Sequence, residues 1–86
     1  MTEAARLNQM PLGRLCTVRG VEAPAGAVDW GRQLEEIGFY VGEQVMVMAR
    51  GIPGGDPLVV RIGQSTFALR GAEAACIRVA PMEQDT

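Results

Sequence analysis

Histidine and lysine are both absent from the 86-residue chain, and aromatic residues make up only 5% of it. Without histidine the chain lacks the commonest general base and cannot form a Ser-His or Cys-His catalytic pair. All eight basic residues are therefore arginine, set against ten acidic residues. The resulting net charge of −2 does not supply the clustered positive excess that nucleic-acid binding requires. We therefore expect neither an enzyme nor a nucleic-acid-binding protein.

Long hydrophobic runs are also missing. The longest uncharged apolar run is far shorter than the ~20 residues of a membrane-spanning helix, and residues 1–6 lack the apolar segment of a signal peptide. We therefore expect a cytoplasmic protein that does not insert into a membrane. Cys16 and Cys76 are expected to be reduced thiols in that compartment.

Apolar residues make up 48% of the chain, so the core is expected to be aliphatic. A chain of this length forms one domain that buries roughly 60–65% of its unfolded surface. The counts of 11 glycines and 5 prolines suit short strands joined by tight turns. We expect one domain over residues 1–86, with its core at about 7–80 and tails at 1–6 and 81–86.

One helix is predicted at about 28–37. Trp30, Leu34 and Ile37 share a helical face in this segment. Gly38 follows where a helix ends in a left-handed residue, and Phe39 supplies the apolar contact that accompanies such an end. A second glycine, Gly42, opens a turn into the next apolar run.

Five short strands are predicted around this helix. Alternating or β-rich segments bounded by glycine and proline define them at 15–21, about 43–50, 58–62, 65–70 and 76–80. Gly63-Gln64 is expected to be a hairpin turn, residues 7–10 a helical turn, residues 71–75 one 3₁₀ turn, and Gly20 a β-bulge. The fold class is mainly β, a small five-stranded barrel with one inserted helix, in which the last strand closes on the first.

Three segments resemble the FeoA family. They are RQLEEIGFYVGEQV at 32–45, GGDPLVVRIGQSTFALR at 54–70, and the closing pattern from Glu73-Ala74 to Ile77 and Val79. The chain departs from the family at Val41, where a proline usually precedes the turn glycine. The resemblance covers about residues 15–80.

This resemblance implies an SH3-like barrel with a helical insertion. It also implies a non-enzymatic accessory protein of bacterial ferrous iron uptake, one that docks on the cytosolic GTPase domain of the transporter FeoB. An alternative is a metal-responsive regulatory module, like the barrel domain at the C-terminus of iron-dependent repressors of the DtxR type. The sequence leaves open whether the protein is a monomer or a weak homodimer.

No catalytic, cofactor or dedicated metal site is predicted. Glu35 and Glu36 diverge on the helix surface, and the Gly51–Pro57 segment lacks the lysine and following helix of a phosphate loop. Two scattered cysteines without histidine do not form a metal-ligand cluster. Strand alternation directs Cys16 inward and Cys76 outward. A surface site that is shared between two copies of the chain, and that uses Cys76 or a carboxylate, therefore remains open for an adventitious divalent metal.

A partner-binding surface is predicted at the end of the helix and on the following strand, at Phe39, Tyr40, Met46, Met48 and Arg50. Tyr40 is expected to be exposed and Phe39 to be in the core. Met46 and Met48 face outward on a strand whose other face is apolar, so they either contact a partner or lie beneath the helix or the N-terminal segment. Arg50, with Arg61 and Arg70, is expected on one side of the sheet, either solvated or paired with an acidic partner.

Overall fold

The computed structural model describes residues 5–82, and the outer parts of the two expected tails, 1–4 and 83–86, lie outside the described residues. In chain order the described elements are β1 (Ala5–Arg6), a 3₁₀ turn (Leu7–Gln9), β2 (Leu15–Val21), α1 (Val28–Ile37), β3 (Gln44–Arg50), β4 (Leu58–Ile62), β5 (Ser65–Leu69), α2 (Gly71–Ala74) and β6 (Ile77–Pro81). The mainly β class with one inserted helix is confirmed.

One antiparallel sheet contains all the described strands, in the order β1-β6-β2-β3-β4-β5. The last strand does return to the first long one, with Val79 of β6 opposite Val18 of β2. The structure adds a sixth strand to the five expected, because β1 pairs with β6 instead of fraying. An ion pair also holds β1, with Arg6 Nη1 2.8 Å from Glu22 Oε1.

The interior of the sheet is aliphatic, as the composition predicts. Its buried side chains are Leu7, Met10, Cys16, Val18, Leu34, Phe39, Val45, Val47, Leu58, Val60, Ile62, Leu69, Ala74, Cys76, Ile77 and Val79. No polar or charged side chain among residues 5–82 is buried with them. The core therefore depends on close packing and apolar burial, without internal ion pairs.

Two β-bulges bend the sheet. The pairing of β2 with β6 shifts register between Val18 and Gly20, so the bulge predicted at Gly20 is confirmed. The pairing of β3 with β4 shifts between Val47 and Ala49, which leaves Met48 as an extra residue without a partner. This second bulge is not predicted from the sequence, and it changes the direction of every later side chain on β3.

The helix α1 spans the predicted residues 28–37. The second helical segment differs from the expected 3₁₀ turn, because Gly71–Ala74 forms one turn of α-helix. Its start is capped by Glu73, whose Oε1 accepts a hydrogen bond from the Arg70 N–H at 2.8 Å. Strand ends shift by one residue: β3 begins at 44, β5 ends at 69 and β6 spans 77–81.

Candidate partner-binding surface

The end of α1 forms a corner that is held from beneath by Phe39. Gly38 has φ +131°, and its N–H and that of Phe39 both donate to Leu34 O, at 3.3 and 3.1 Å. The predicted glycine cap is therefore confirmed. Phe39 is buried in the core, as expected, so its ring supports the corner and is not itself exposed to a partner.

Beyond Phe39 the chain makes a β-turn, in which the Glu43 N–H donates to Tyr40 O at 3.0 Å. Gly42, with φ +97°, supplies the left-handed conformation that this turn needs. Two further hydrogen bonds join the turn to β2, from Gly42 N–H to Val18 O and from Val18 N–H to Glu43 O, both at 2.8 Å. The corner is thus fixed to the sheet at both ends.

Three apolar side chains project from this corner, and we call Ile37, Tyr40 and Val41 the corner patch. Tyr40 is 54% exposed and Val41 71% exposed. The exposure of Tyr40 agrees with its prediction. Ile37, the last residue of α1, is 38% exposed, and the buried residue of this corner is Phe39. Val41 is missed by the sequence reasoning, although the second position of a tight turn is a signal for exposure.

Met46 lies on the outer face of the sheet, as predicted. It is opposite Leu15 on β2 and Arg61 on β4, which in turn is opposite Thr66 on β5. Leu15, Met46 and Arg61, together with Gln44 and Gly63, line a cleft of about 170 Å³. Met46 is half-buried in this row, and neither α1 nor β1 lines the cleft.

Met48 owes its position to the bulge in β3. As the extra residue between Val47 and Ala49, it has no partner on β4, and its side chain is 45% exposed. Met46 and Met48 therefore both face outward, Met46 from a regularly paired part of β3 and Met48 from the bulge.

Arg50 is not on the outer face, and its expected grouping with Arg61 and Arg70 is wrong. The bulge at Met48 reverses the alternation, so Arg50 lies opposite the buried Leu58. Its Nη2 donates to Asn8 O at 2.8 Å and to Met10 O at 2.9 Å. The guanidinium thus fastens the 3₁₀ turn to β3.

Comparison with known proteins agrees with this architecture. A family model for the FeoA domain matches residues 5–81. The chain belongs to the FeoA domain family. This family is associated with ferrous iron transport, and residues 5–82 contain no helix long and apolar enough to cross a membrane. None of the curated proteins compared with the chain matches it significantly.

Solved FeoA structures confirm the SH3-like fold. The FeoA of Stenotrophomonas maltophilia, a prokaryotic SH3-domain protein solved with zinc, is 38% identical, with a TM-score of 0.77 over 92% of this chain and 88% of that one. The FeoA of Chlorobium tepidum is 30% identical, with a TM-score of 0.74 over 94% and 73%. A FeoA-like protein from Clostridium acetobutylicum is 26% identical, with a TM-score of 0.81 over 100% and 95%.

Two repressors share the fold alone. A manganese-dependent transcriptional repressor is 23% identical, with a TM-score of 0.79 over 95% of this chain and 44% of that one. The IdeR of T. acidophilum is 13% identical, with a TM-score of 0.73 over 92% and 34%. This FeoA chain therefore corresponds in fold to less than half of each repressor.

The zinc in the Stenotrophomonas relative raises the question of metal ligands in this FeoA chain. Within residues 5–82, no group of three or more His, Cys, Asp or Glu residues could hold a metal ion. The outward direction predicted for Cys76 is wrong, because β6 begins only at Ile77 and strand alternation does not reach the cysteine. Its Sγ instead donates to Ala72 O at 3.4 Å and is buried.

Both thiols are held in their protonated form. Burial raises the pKa of Cys16, an effect that nearby Arg14 partly offsets. Burial also raises the pKa of Cys76, with Arg6 lowering it and Glu73 raising it further. Because a thiolate is the form that binds metal, neither cysteine suits a metal at the surface, and the carboxylates are the remaining donors there.

Proposed function

We propose that this protein is a non-enzymatic accessory factor of ferrous iron uptake, which docks on the cytosolic GTPase domain of FeoB and supports or regulates that transporter. The match of the FeoA family model to residues 5–81 carries the proposal. The Stenotrophomonas relative, 38% identical, is itself described as a candidate ferrous iron transport activating factor. A role in the cytoplasm follows from the same proposal.

The corner patch is the contact surface that we favour. Tyr40 and Val41 lie on a turn fixed by three hydrogen bonds, so little backbone entropy is lost when they are buried. Tyrosine is enriched among the residues that dominate binding energy, and its ring adds apolar area with one polar group. Glu36 and Glu43 flank the patch in sequence and are exposed, which favours a partner surface with basic residues at its rim.

The outer sheet face is the second part of the proposed surface. Met46 and Met48 offer adaptable apolar side chains of the kind found at contact surfaces. Phe39 and Arg50 remain in the proposal as supporting residues, because the first is buried beneath the corner and the second donates to the 3₁₀ turn. A direct contact is therefore proposed for Tyr40, Met46 and Met48.

The test is an NMR titration of the isotope-labelled chain with the FeoB GTPase domain. We expect amide shifts that cluster at residues 38–50. Tyr40→Ala and Met46→Asp should each weaken binding by about tenfold or more. The NMR spectrum of each free variant should still be that of a folded domain. Ile52→Ala is the matched control, because Ile52 is 95% exposed but lies on another loop. Normal affinity in both folded variants would exclude this surface, and the absence of binding by the unmodified chain would exclude the docking function.

A metal-responsive regulatory module is the second candidate. Its support is the likeness in fold to a manganese-dependent transcriptional repressor, with a TM-score of 0.79. Titration of the labelled chain with Fe²⁺ or Mn²⁺ under anaerobic conditions separates the two functions. Saturable amide shifts at low metal concentration favour the regulatory module, whereas unchanged spectra remove it.

A further inference from the structure

Strand β5 forms one end of the sheet. Within residues 5–82 it pairs only with β4, while β1 forms the other end. Its sequence, Ser-Thr-Phe-Ala-Leu at 65–69, contains no charge, proline or glycine. Natural sheets normally protect such an edge with charges, proline or a covering segment, because its unpaired backbone groups can pair with another strand.

The register of the hairpin decides which backbone groups of β5 are unpaired. Ile62 and Ser65 flank the two-residue turn Gly63-Gln64 and lie opposite each other. In such a hairpin the flanking residues form the hydrogen-bonded pair, and the pattern alternates from there. Ser65, Phe67 and Leu69 therefore direct their backbone groups toward β4.

The other side of β4 gives an independent check of this alternation. The Gly63 N–H donates to Gln44 O at 3.3 Å, so the odd-numbered residues of this segment bond toward β3 and the even-numbered ones toward β5. On β5 the pattern leaves Thr66 and Ala68 with N–H and C=O groups that point away from the sheet. Both residues are exposed.

The unpaired stretch ends at Arg70. Its N–H donates to Glu73 Oε1 at 2.8 Å, and its carbonyl accepts from the N–H groups of Glu73 and Ala74. The free edge of β5 is thus limited to the four backbone groups of Thr66 and Ala68. An interface on this edge is short, with two residues from each strand.

We infer that β5 pairs antiparallel with β5 of a second copy of this chain, around a twofold axis at Phe67. In this register Thr66 of each copy lies opposite Ala68 of the other. Each of these two residue pairs exchanges two N–H···O=C bonds, so the free backbone groups form four hydrogen bonds in all. The two sheets become continuous. This inference goes beyond the docking function and does not depend on it.

The second copy is favoured as the occupant because the edge is complementary to itself. The twofold axis places Thr66 against Ala68 and one Phe67 beside the other, so that uncharged side chains meet throughout. Arg70 lies opposite Gln64 of the second copy and not opposite its own counterpart, which avoids the repulsion of like charges across strands. A twofold homodimer is also the commonest form of protein assembly.

Two measurements on the unmodified chain test the inference. Sedimentation equilibrium from about 10 μM to about 1 mM should show a reversible monomer–dimer equilibrium, in the affinity range expected for a small interface. Hydrogen exchange followed by NMR should show that the Thr66 and Ala68 amides exchange more slowly as the concentration rises. In a mixture of labelled and unlabelled chains, contacts between Phe67 rings of different copies would report the register.

A pair of variants isolates the backbone hydrogen bonds. Ala68→Pro removes an N–H at an outward position of an edge strand, where proline is tolerated. We expect it to raise the dimer dissociation constant by at least about tenfold, since each copy loses one bond. Ala68→Thr keeps the N–H and is the control, which should dimerise like the unmodified chain.

Three results would overturn the inference. The first is a chain that stays monomeric at every concentration. The second is a dimer in which the Thr66 and Ala68 amides exchange as fast as in dilute solution, which means that another surface holds it. The third is an Ala68→Pro variant that dimerises as tightly as the unmodified chain. If that variant does not fold, the exchange measurement on the unmodified chain decides alone.

Discussion

Asp56 Oδ1 accepts a hydrogen bond from the Gly71 N–H at 2.9 Å, which connects the loop between β3 and β4 to the first residue of α2. The first N–H groups of a helix have no partner within the helix. Asp56 therefore caps α2 from a loop that is distant in sequence. The same contact holds the glycine-rich segment 51–57 against the body of the sheet.

Removal of this cap should destabilise the domain. Asp56→Ala leaves the Gly71 N–H without its acceptor, and we expect the free energy of unfolding to fall by about 1 kcal/mol. Urea unfolding followed by circular dichroism measures the change. Asp56→Asn keeps an acceptor oxygen at the same position and should lose less. Equal stability in all three proteins would mean that water replaces the carboxylate without cost.

Arg50 should contribute more to stability than any other arginine on the sheet. Arg50→Met keeps much of the aliphatic stem but removes the donor to the carbonyls of Asn8 and Met10. We expect a loss of about 1–3 kcal/mol in urea unfolding, because two part-buried acceptors lose a charged donor. Arg61→Met is the control, since Arg61 is exposed and its side chain donates, among residues 5–82, only to nearby Gly63 O. The stability of this variant should stay within about 0.5 kcal/mol of the unmodified chain. Similar losses in both variants would contradict the assigned role.

The role of Arg50 also shows where prediction from the sequence ends. Alternation along β3 correctly places Val45 and Val47 inside and Met46 outside. It then fails at Arg50, because the bulge at Met48 reverses the faces. A bulge of this kind depends on the register with β4, which no local signal in β3 contains.

Features with local causes are predicted well. The cap at Gly38, the exposed Tyr40 and the limits of α1 follow from helical spacing and glycine positions, which act within a few residues. Features with distant causes are not: β1 has only two residues and exists because β6 lies beside it. The burial of Cys76 also has a distant cause, because Cys76 follows α2 and its Sγ donates a hydrogen bond to Ala72 O. Whether the candidate surface binds a partner stays a prediction.

Val41→Pro should stabilise the corner. Val41 occupies the second position of the Tyr40–Glu43 turn, and Gly42, with φ +97°, occupies the third. A positive φ at the third position is typical of a type II turn, and proline is common at the second position of such turns. Because Val41 is 71% exposed, no core contact is lost, and we expect a gain of about 0.5 kcal/mol from the reduced entropy of the unfolded chain. Val41→Ala should give no such gain in urea unfolding, and a loss with proline would show that the backbone at this position does not fit the ring.

The two buried thiols should make stability fall at alkaline pH. Burial raises the pKa of Cys16 and of Cys76 above the ordinary value of 9.0. The unfolded chain therefore loses thiol protons from about pH 9 upward, while the folded chain retains them. The stabilisation that this pKa difference gives is complete below pH 9 and decreases as the pH rises from there through the folded pKa values.

Urea unfolding at several pH values between about 7.5 and 10.5 should show this fall in the free energy of unfolding as a slope against pH, and the Cys16→Ala, Cys76→Ala double variant should show a smaller slope. The slope is the informative quantity, because the lost packing lowers the stability of the variant at every pH. An identical slope in the double variant would assign the alkaline loss to other groups.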